Sequence, residues 1–465
     1  MQSSGAIVSV ARASAGVPGG AGPEEEGPVT ALLAAHLGEG SADMRAIGGA
    51  WAPYEHVNVQ VAVDHWLSEP GREHQLVGLV GSRHRLFGLS DLLQPGQEPG
   101  LAPGSVAMVD QPCGPDGALQ SCVQCGIYLV TEGELRVVIL LRGSDQRGPQ
   151  PDVSVEVAST DPVASRRILA EIRTLVISHS VYRGQVVSFG REPLGVMRGA
   201  LLTFHPRPQV AREELILPAG LLEGVERQVL GVARHRDRLL ANGQHLKRGV
   251  LLFGAPGVGK THTVRYLMSC MPDTTIVILT GTALHMIGPA CSIAATLAPA
   301  LVVIEDVDLI AENRDAHRGS SPLLFEVLNE MDGLGGDADV TFVLTTNRVD
   351  VLEPALASRP GRVDHAVELP LPDSEARSRL LALYRGGLDV ELDDLDRIVE
   401  RTEGVTASFL KELLRRAALH AADEQPGEVL KVTDRHVNAA LDDLDHSRNL
   451  LTRRLLGAAE MRVVG

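Results

Sequence analysis

The spacing of hydrophobic and polar residues divides the chain into segments of different character. Residues 1–28 contain no aromatic side chain and are rich in Gly, Ala, Ser and Pro. They have too little apolar surface to offset chain entropy, so we expect a disordered tail there, followed by a short helix at about Thr30–Leu37. From Val57 to Val63, valines stand at every second position with Asn58 and Gln60 between them. This is the period of a β-strand, although a helix is also compatible with it.

The clearest pattern in the first half is a β-hairpin. Two β-rich runs within Gly126–Gly143 flank a Glu-Gly turn. Asp161 followed by Pro162 has the form of an N-cap and first-turn proline, which predicts a helix ending near Ser178. Three further strand-like runs occur at Val153–Ser159, Gln185–Phe189 and Ala200–Phe204. Together these elements predict an α+β domain over residues 29–208.

Three cysteines in this domain raise the question of a metal site. Cys113, Cys122 and Cys125 have the spacing C-x8-C-x2-C. A zinc site would need a histidine as fourth ligand, and structural zinc sites usually show two paired clusters rather than one. Incidental cysteines in a loop are therefore the favoured interpretation, and zinc binding is the alternative.

The second half contains a phosphate-binding loop. A buried strand is predicted at Val250–Phe253, and a helix is predicted from about Thr261. Between them lies the sequence G-x4-G-K-T. The candidate nucleotide-binding residues are Gly254, Ala255, Pro256, Gly257, Val258, Gly259, Lys260, Thr261 and His262. Glycines allow backbone N–H groups to approach a phosphate, Lys260 can reach the β- and γ-phosphates, and Thr261 can ligate Mg²⁺. The pattern indicates a site for ATP and Mg²⁺.

About forty residues after the loop, the segment Ala300–Ile310 is an apolar, strand-like run that leads into acidic residues. Glu305 and Asp306 are the expected second nucleotide motif, in which one carboxylate holds Mg²⁺ and the other polarises the attacking water. For Asp308, a role as a helix cap and a role in the site are equally compatible with the sequence. We therefore leave both open.

Polar and basic residues after a further apolar strand complete the candidate catalytic set. The run Asp339–Asn347 ends on Asn347, which is suited to orienting a water molecule near the γ-phosphate. Arg359 and Arg362 lie in the turn-like segment SRPGR. Two arginines on one short turn after a strand are typical of charge donation to a transferring phosphoryl group.

These motifs, in this order, resemble those of the AAA family of ATPases within the AAA+ superfamily. The resemblance covers about Leu215 to Leu444 and includes GAPGVGKT, VVIEDVD, LNEMDGL, TTNRVDVLEPAL, RPGRVD and TEGVTASFLKELLRRAAL. It implies a P-loop, doubly wound αβα domain (residues 209–372) with a small helical lid (residues 373–446). A C-terminal helix or tail would occupy residues 447–465. The fold class is thus α/β, preceded by the α+β domain.

The resemblance also implies roles for individual residues. Lys260 and Thr261 correspond to the Walker A residues, Glu305 and Asp306 to the Walker B acids, and Asn347 to sensor 1. Arg359 and Arg362 are similar to arginine fingers, which reach the nucleotide of the neighbouring subunit in a ring hexamer. A homo-hexamer is therefore expected.

Two features depart from the usual family pattern. Most members have Asp-Glu in the second acidic motif, whereas this chain has Glu305-Asp306. We expect hydrolysis to survive this exchange. Members that thread a polypeptide grip it with an aromatic residue, and Met286 stands at the corresponding place. Methionine is apolar and adaptable, so gripping is compatible with this residue but is not established by it.

Composition narrows the classes of partner. The formal net charge is −16, and only four of the 43 basic residues are lysines (Lys247, Lys260, Lys411 and Lys431). Because an acidic surface repels phosphate backbones, a nucleic-acid partner is disfavoured. No membrane-spanning segment and no secretory signal is recognisable, so we expect a cytoplasmic protein. The leading hypothesis is an ATPase that remodels a protein partner, and the alternative is a nucleotide-dependent scaffold or switch.

Overall fold

The computed structural model describes residues 27–81, 87–95, 100–144, 152–190, 201–308, 322–335, 337–350, 363–424 and 429–446. The chain separates into two compact units, Met1–Pro206 and Arg207–Gly465. The expected N-terminal tail up to residue 26 and the expected C-terminal helix or tail at 447–465 lie outside the described residues. Within the described part of the chain, none of the helices has both the length and the apolarity required to cross a membrane.

An antiparallel sheet forms the centre of the N-terminal unit. Its strands run in the order β1-β7-β6-β5-β2-β3, and β4 pairs with the first half of β5. The predicted hairpin is confirmed, with its turn at Gly133 and Glu134 between β5 and β6. Two later strands, β8 and β9, pair with each other. The bounds are β1 Ile47–Trp51, β2 Arg72–Val80, β3 Ala102–Gly104, β4 Ala107–Pro112, β5 Leu119–Glu132, β6 Leu135–Arg142, β7 Val153–Ser159, β8 Val186–Gly190 and β9 Leu201–His205.

Helices cover both faces of this sheet because successive residues of its central strands point to opposite sides. Ile139 and Leu141 pack with α2 (His56–Leu67) and α4 (Pro162–Ser178), whereas Leu140 packs with α1 (Pro28–Leu37) and α3 (Leu89–Leu93). The predicted cap of α4 is confirmed, since the Asp161 carboxylate accepts a hydrogen bond from the Val163 N–H.

Of the two alternatives left open for Val57–Val63, the helix is confirmed and the strand is wrong, because these residues belong to α2. The alternation misleads because the intervening polar residues are buried rather than solvent-facing. Asn58 accepts a hydrogen bond from the Val181 N–H, and Gln60 accepts one from the Val123 N–H. With their polar groups satisfied, both side chains fit inside a helix that is buried nearly all round.

The sheet of the C-terminal unit is parallel, with neighbouring strands in the order β14-β10-β13-β12-β11. The strands are β10 Arg248–Phe253, β11 Thr275–Thr280, β12 Ala300–Glu305, β13 Val340–Thr346 and β14 His365–Glu368. The helices are α5 Leu221–Ala241, α6 Lys260–Ser269, α7 Ile287–Thr296 and α8 Pro322–Gly333. Right-handed crossovers that run in opposite directions along a sheet place their helices on opposite faces, so this is a doubly wound αβα fold. The carboxyl ends of β10, β13 and β12 lie side by side.

A small helical bundle follows the sheet. Its helices are α9 Ser374–Tyr384, α10 Leu395–Arg401, α11 Ala407–Glu424 and α12 Asp434–His446, with a short parallel pair of β15 Asp389–Glu391 and β16 Lys431–Thr433. Asp373 caps α9, since its carboxylate accepts a 2.8 Å hydrogen bond from the Ala376 N–H. The apolar stripe of α11 forms the core of the bundle, because Phe409, Leu410 and Leu413 recur at the i, i+1, i+4 spacing of one helix face. We call this bundle the lid.

Candidate active site

The phosphate-binding loop lies where the sequence predicts it, between β10 and α6. Gly254, Gly257 and Gly259 have φ angles of 144°, 84° and 107°, which side-chain-bearing residues rarely adopt. Gly259 is the N-cap of α6, and no side chain caps the first N–H groups of the helix. Helix N-termini carry a partial positive charge and free donors, so this loop suits an anionic phosphate.

The same glycines allow close approach of neighbouring backbone and of the lid. A Cβ at Gly254 would stand 2.3 Å from the Leu369 carbonyl oxygen, and a Cβ at Gly257 would stand 2.9 Å from the Ser408 side chain. Ser408, at the start of α11, donates its N–H to the Gly257 carbonyl at 3.1 Å. The lid is therefore hydrogen-bonded directly to the phosphate-binding loop.

Lys260 is buried, with 6% of its surface exposed, and its ammonium group has three acceptors. Nζ donates to the carbonyls of Gly254 and Ala255 at 2.8 and 2.9 Å, and to Asn347 Oδ1 at 2.8 Å. Burial lowers the pKa of Lys260, and the nearby carboxylates of Asp306 and Asp308 oppose that shift. The side chain thus holds a positive charge at the mouth of the loop and is tied to the end of β13.

The two predicted acids face different partners. Glu305 accepts a hydrogen bond from Thr261; burial raises the pKa of Glu305, and the Thr261 bond opposes this rise. Asp306 instead accepts a hydrogen bond from Asn347 Nδ2 at 3.3 Å. Asp306 has a φ of 51°, in the left-handed region that Asp tolerates better than most residues. The two adjacent carboxylates thus bond to different elements, Glu305 to the start of α6 and Asp306 to the residue after β13.

Oxygen ligands for Mg²⁺ are present at the first of these positions. Mg²⁺ in nucleotide sites is held by one or two carboxylates, a hydroxyl and substrate phosphates, so the Thr261 hydroxyl and Glu305 carboxylate fit it. Across the described ranges, three or more His, Cys, Asp or Glu side chains nowhere converge in a way that could hold a metal ion. A magnesium ion shared with substrate phosphates does not require such a cluster.

Asp308 has a role that the sequence left open. It is 5% exposed, and its Oδ1 accepts hydrogen bonds from the Thr346 hydroxyl at 2.9 Å and the Asn347 N–H at 3.2 Å. It therefore braces the end of β13 against the end of β12. Its partners lie almost forty residues away in sequence. The two threonines before Asn347 are the one sequence feature that indicates them.

The remaining predicted residues lie in the loop, before α7, or outside the described part of the chain. Pro256 and Thr261 are exposed, Val258 is buried, and His262 is half-buried beside the loop. Met286 is half-buried at the end of a short 3-10 helix that precedes α7. Arg359 and Arg362 lie outside the described residues.

The three N-terminal cysteines have different surroundings. Cys113 is half-buried, Cys122 is buried, and Cys125 packs in the core with α1 and α3. Burial, together with Asp64 and Asp110, raises the pKa of Cys122 to about 12. A thiol must ionise to bind zinc, so this environment opposes metal binding.

Comparison with known proteins shows which family one segment of the chain resembles. Residues 250–371 match the family model described as ATPase family associated with various cellular activities (AAA). These residues form an AAA domain. The resemblance inferred from its motifs is thereby confirmed, and the matched region of this AAA domain includes the phosphate-binding loop, both acids and Asn347.

Individual relatives agree with this assignment. The chain is 30% identical to the ATP-dependent zinc metalloprotease FtsH 2 of Sphaerobacter thermophilus over 282 residues, which are 57% of this chain and 42% of that protein. It is 31% identical to FTSH 1, chloroplastic, of Arabidopsis thaliana over 218 residues, or 44% and 30% of the two chains. It is 29% identical to the 26S protease regulatory subunit 6A of Caenorhabditis elegans over 210 residues, or 42% and 49%. The match spans less than half the length of each relative.

Proposed function

We propose that the AAA domain hydrolyses Mg²⁺-bound ATP, and that a homo-hexamer of the chain uses this energy to remodel a protein partner recruited by residues 29–208. One observation carries the proposal: Lys260 of the loop, Asn347 and Asp306 form a continuous hydrogen-bonded chain, while Thr261 and Glu305 pair beside it. Phosphoryl transfer needs one set of groups to hold the metal and a separate set to orient and deprotonate the attacking water.

Each residue then has a defined task. The loop N–H groups and Lys260 hold the β- and γ-phosphates, and Thr261 and Glu305 hold the metal. Bound Mg²⁺ neutralises phosphate charge and polarises the phosphorus–oxygen bonds. Asn347 orients the attacking water, whose oxygen bonds to the γ-phosphorus as the bond to the β-phosphate oxygen breaks. Asp306 accepts the proton that this water releases.

The arginines extend the site to a neighbouring subunit. In this proposal Arg359 and Arg362 of one subunit stabilise the charge that develops on the γ-phosphoryl group of the next. An arginine supplied in this way typically accelerates phosphoryl transfer by about 10³–10⁵-fold. Activity should therefore depend on protein concentration, because a separated subunit lacks its neighbour's arginines.

A protein substrate is supported by the relatives and by charge. The similar proteins are named as proteases or as a protease regulatory subunit, which implies polypeptide substrates for them. A net charge of −16 disfavours nucleic acid. We place this activity in the cytoplasm. The nucleotide-dependent scaffold is the competing function, and turnover decides between them.

Asp306→Asn provides the test. Asparagine tolerates the left-handed backbone at this position but is a much weaker base, so the variant should bind ATP without hydrolysing it. We expect ATP, but not ADP, to hold the variant in a hexamer with its partner bound, and the parent chain to release that partner during turnover. An Asp306→Asn variant as active as the parent would refute the role of Asp306. A parent that binds ATP with negligible turnover would establish the scaffold instead.

A further inference from the structure

A third acid, Asp308, lies just beyond the two that the proposed reaction uses. Only 5% of its surface is exposed, and it follows β12 by three residues. Burying a carboxylate is unfavourable unless hydrogen bonds compensate it, so the contacts of Asp308 indicate what it does. Its two described hydrogen bonds come from the side chain of the last residue of β13 and from the backbone of the residue that follows it.

These contacts fix the residue pair Thr346-Asn347. Asp308 Oδ1 accepts from the Thr346 hydroxyl at 2.9 Å and from the Asn347 N–H at 3.2 Å. The Thr346 oxygen also accepts the Arg348 N–H at 3.0 Å. The carbonyl and hydroxyl of Thr345 receive the N–H groups of Val307 and Asp306. The ends of β12 and β13 are thus joined beyond the last regular pairing of the sheet.

The position of Asn347 matters because both ends of its amide are engaged. Oδ1 accepts from Lys260 at 2.8 Å, and Nδ2 donates to Asp306 at 3.3 Å. A side chain that bridges a phosphate-binding lysine and a carboxylate base tolerates little displacement of its own backbone. Asp308 holds that backbone by its N–H group.

We propose that Asp308 is a positioning residue, which acts on hydrolysis by fixing the backbone of Asn347 and, through it, the alignment of Lys260 with Asp306. The inference rests on the proposed ATPase function. It assigns Asp308 no contact with the nucleotide, so its removal should slow the chemical step while leaving ATP binding nearly intact.

The primary experiment compares Asp308→Ala and Asp308→Asn in the full chain. A displacement of about 1 Å in an active site can cost about 10²-fold in rate, so we expect kcat of Asp308→Ala to fall roughly 10- to 100-fold, with KM for ATP within about 3-fold of the parent. Asparagine retains an oxygen that can accept both hydrogen bonds and should recover kcat to within about 5-fold. Asp337→Ala, at an exposed acid, is the matched control and should match the parent.

A double-mutant cycle separates positioning from a general structural effect. If Asp308 acts through Asn347, then Asp308→Ala should lower kcat little further in an Asn347→Ala background. Active sites are counted by ATP titration, so that a partly unfolded variant is not mistaken for a slow one. An equal fold-loss of kcat in both backgrounds, parent-like kcat in Asp308→Ala, or no rescue by asparagine would overturn the inference.

The outcome remains informative if the ATPase proposal fails. A parent chain that binds ATP without turnover would refute the proposed function, and the crystal structure of Asp308→Ala then decides the positioning claim. Departure of Asn347 Oδ1 from hydrogen-bond distance of Lys260 Nζ would support it. An unchanged Lys260–Asn347–Asp306 chain would contradict it.

Discussion

Replacing the three loop glycines with alanine, one at a time, separates two causes of lost stability. One is a left-handed backbone conformation, and the other is steric overlap of the added Cβ. Gly254, Gly257 and Gly259 all have positive φ, so each alanine pays for a left-handed backbone, about 1–2 kcal/mol. At Gly259 nothing lies within 4 Å of the added Cβ, and this is the whole expected loss.

Steric overlap adds to the loss at the other two positions. At Gly257 the Cβ would stand 2.9 Å from the Ser408 side chain, and such overpacking adds about 1–3 kcal/mol. At Gly254 the obstacle is the Leu369 carbonyl oxygen at 2.3 Å. That backbone cannot swing aside, because the Leu369 N–H is bonded to the Phe253 carbonyl. We therefore expect Gly254→Ala to be the most destabilising and Gly259→Ala the least.

Calorimetry of the full chain measures this order. For a unit of this size each kcal/mol lowers Tm by about 2–4 °C. Gly243 is the matched control, since it has a φ of 68° and no atom lies within 4 Å of an added Cβ. Gly243→Ala should therefore behave like Gly259→Ala. Both tryptophans, Trp51 and Trp66, lie in the N-terminal unit, so the transition seen by their fluorescence identifies that unit and should not move.

The contact with the lid can be isolated by a second substitution. Ser408→Gly removes the two nearest atoms that a Cβ at residue 257 would meet and leaves the Thr406 hydroxyl oxygen at 3.1 Å. It should therefore recover part of the loss in Gly257→Ala but none in Gly259→Ala. Equal Tm losses at all three loop glycines, or a milder effect at Gly257 than at Gly259, would contradict a steric contribution from Ser408 and Leu369.

Two further predictions concern other buried polar groups. Burial lowers the pKa of His56 in the folded chain, so the unfolded chain binds a proton there first as the pH falls. The free energy of unfolding of the N-terminal unit should therefore decrease below about pH 6.5, by up to about 1.4 kcal/mol per pH unit. Tryptophan fluorescence should show a shallower decrease in His56→Gln. An identical pH slope in that variant would contradict this assignment. In the lid, the buried Arg377 guanidinium donates to the carbonyls of Val399 and Pro372. Arg377→Met should cost about 1–3 kcal/mol by calorimetry, whereas the exposed Arg379→Met should cost little; equal losses would argue against these hydrogen bonds as the cause.

Local chemistry explains which parts of the molecule the sequence could predict. The phosphate-binding loop follows from a few adjacent residues, since glycine geometry, a lysine and a helix start are all encoded within Gly254–Thr261. The cap at Asp373 and the apolar stripe of α11 are equally local. Each needs no knowledge of distant partners.

Failures arise where distant partners decide the structure. The alternation of valines with Asn58 and Gln60 left a strand and a helix open. The helix is compatible with these buried polar side chains because the distant Val181 and Val123 N–H groups satisfy them. Asp308 could not be assigned without Thr346. Likewise, the hydrogen bond from Ser408 to Gly257 joins residues about 150 positions apart, which no periodicity reveals.

ATP hydrolysis at this site is tested most directly by measuring phosphate release from Mg²⁺-ATP. The full chain is compared with its Lys260→Ala variant at equal concentrations. Lys260 supplies the positive charge of the loop and donates to Asn347, so its removal should abolish measurable turnover while the tryptophan-monitored stability of the N-terminal unit stays unchanged. Steady release by the parent together with its loss in the variant is the predicted result. Equal phosphate release by the two proteins would contradict the assignment of ATP hydrolysis to this site.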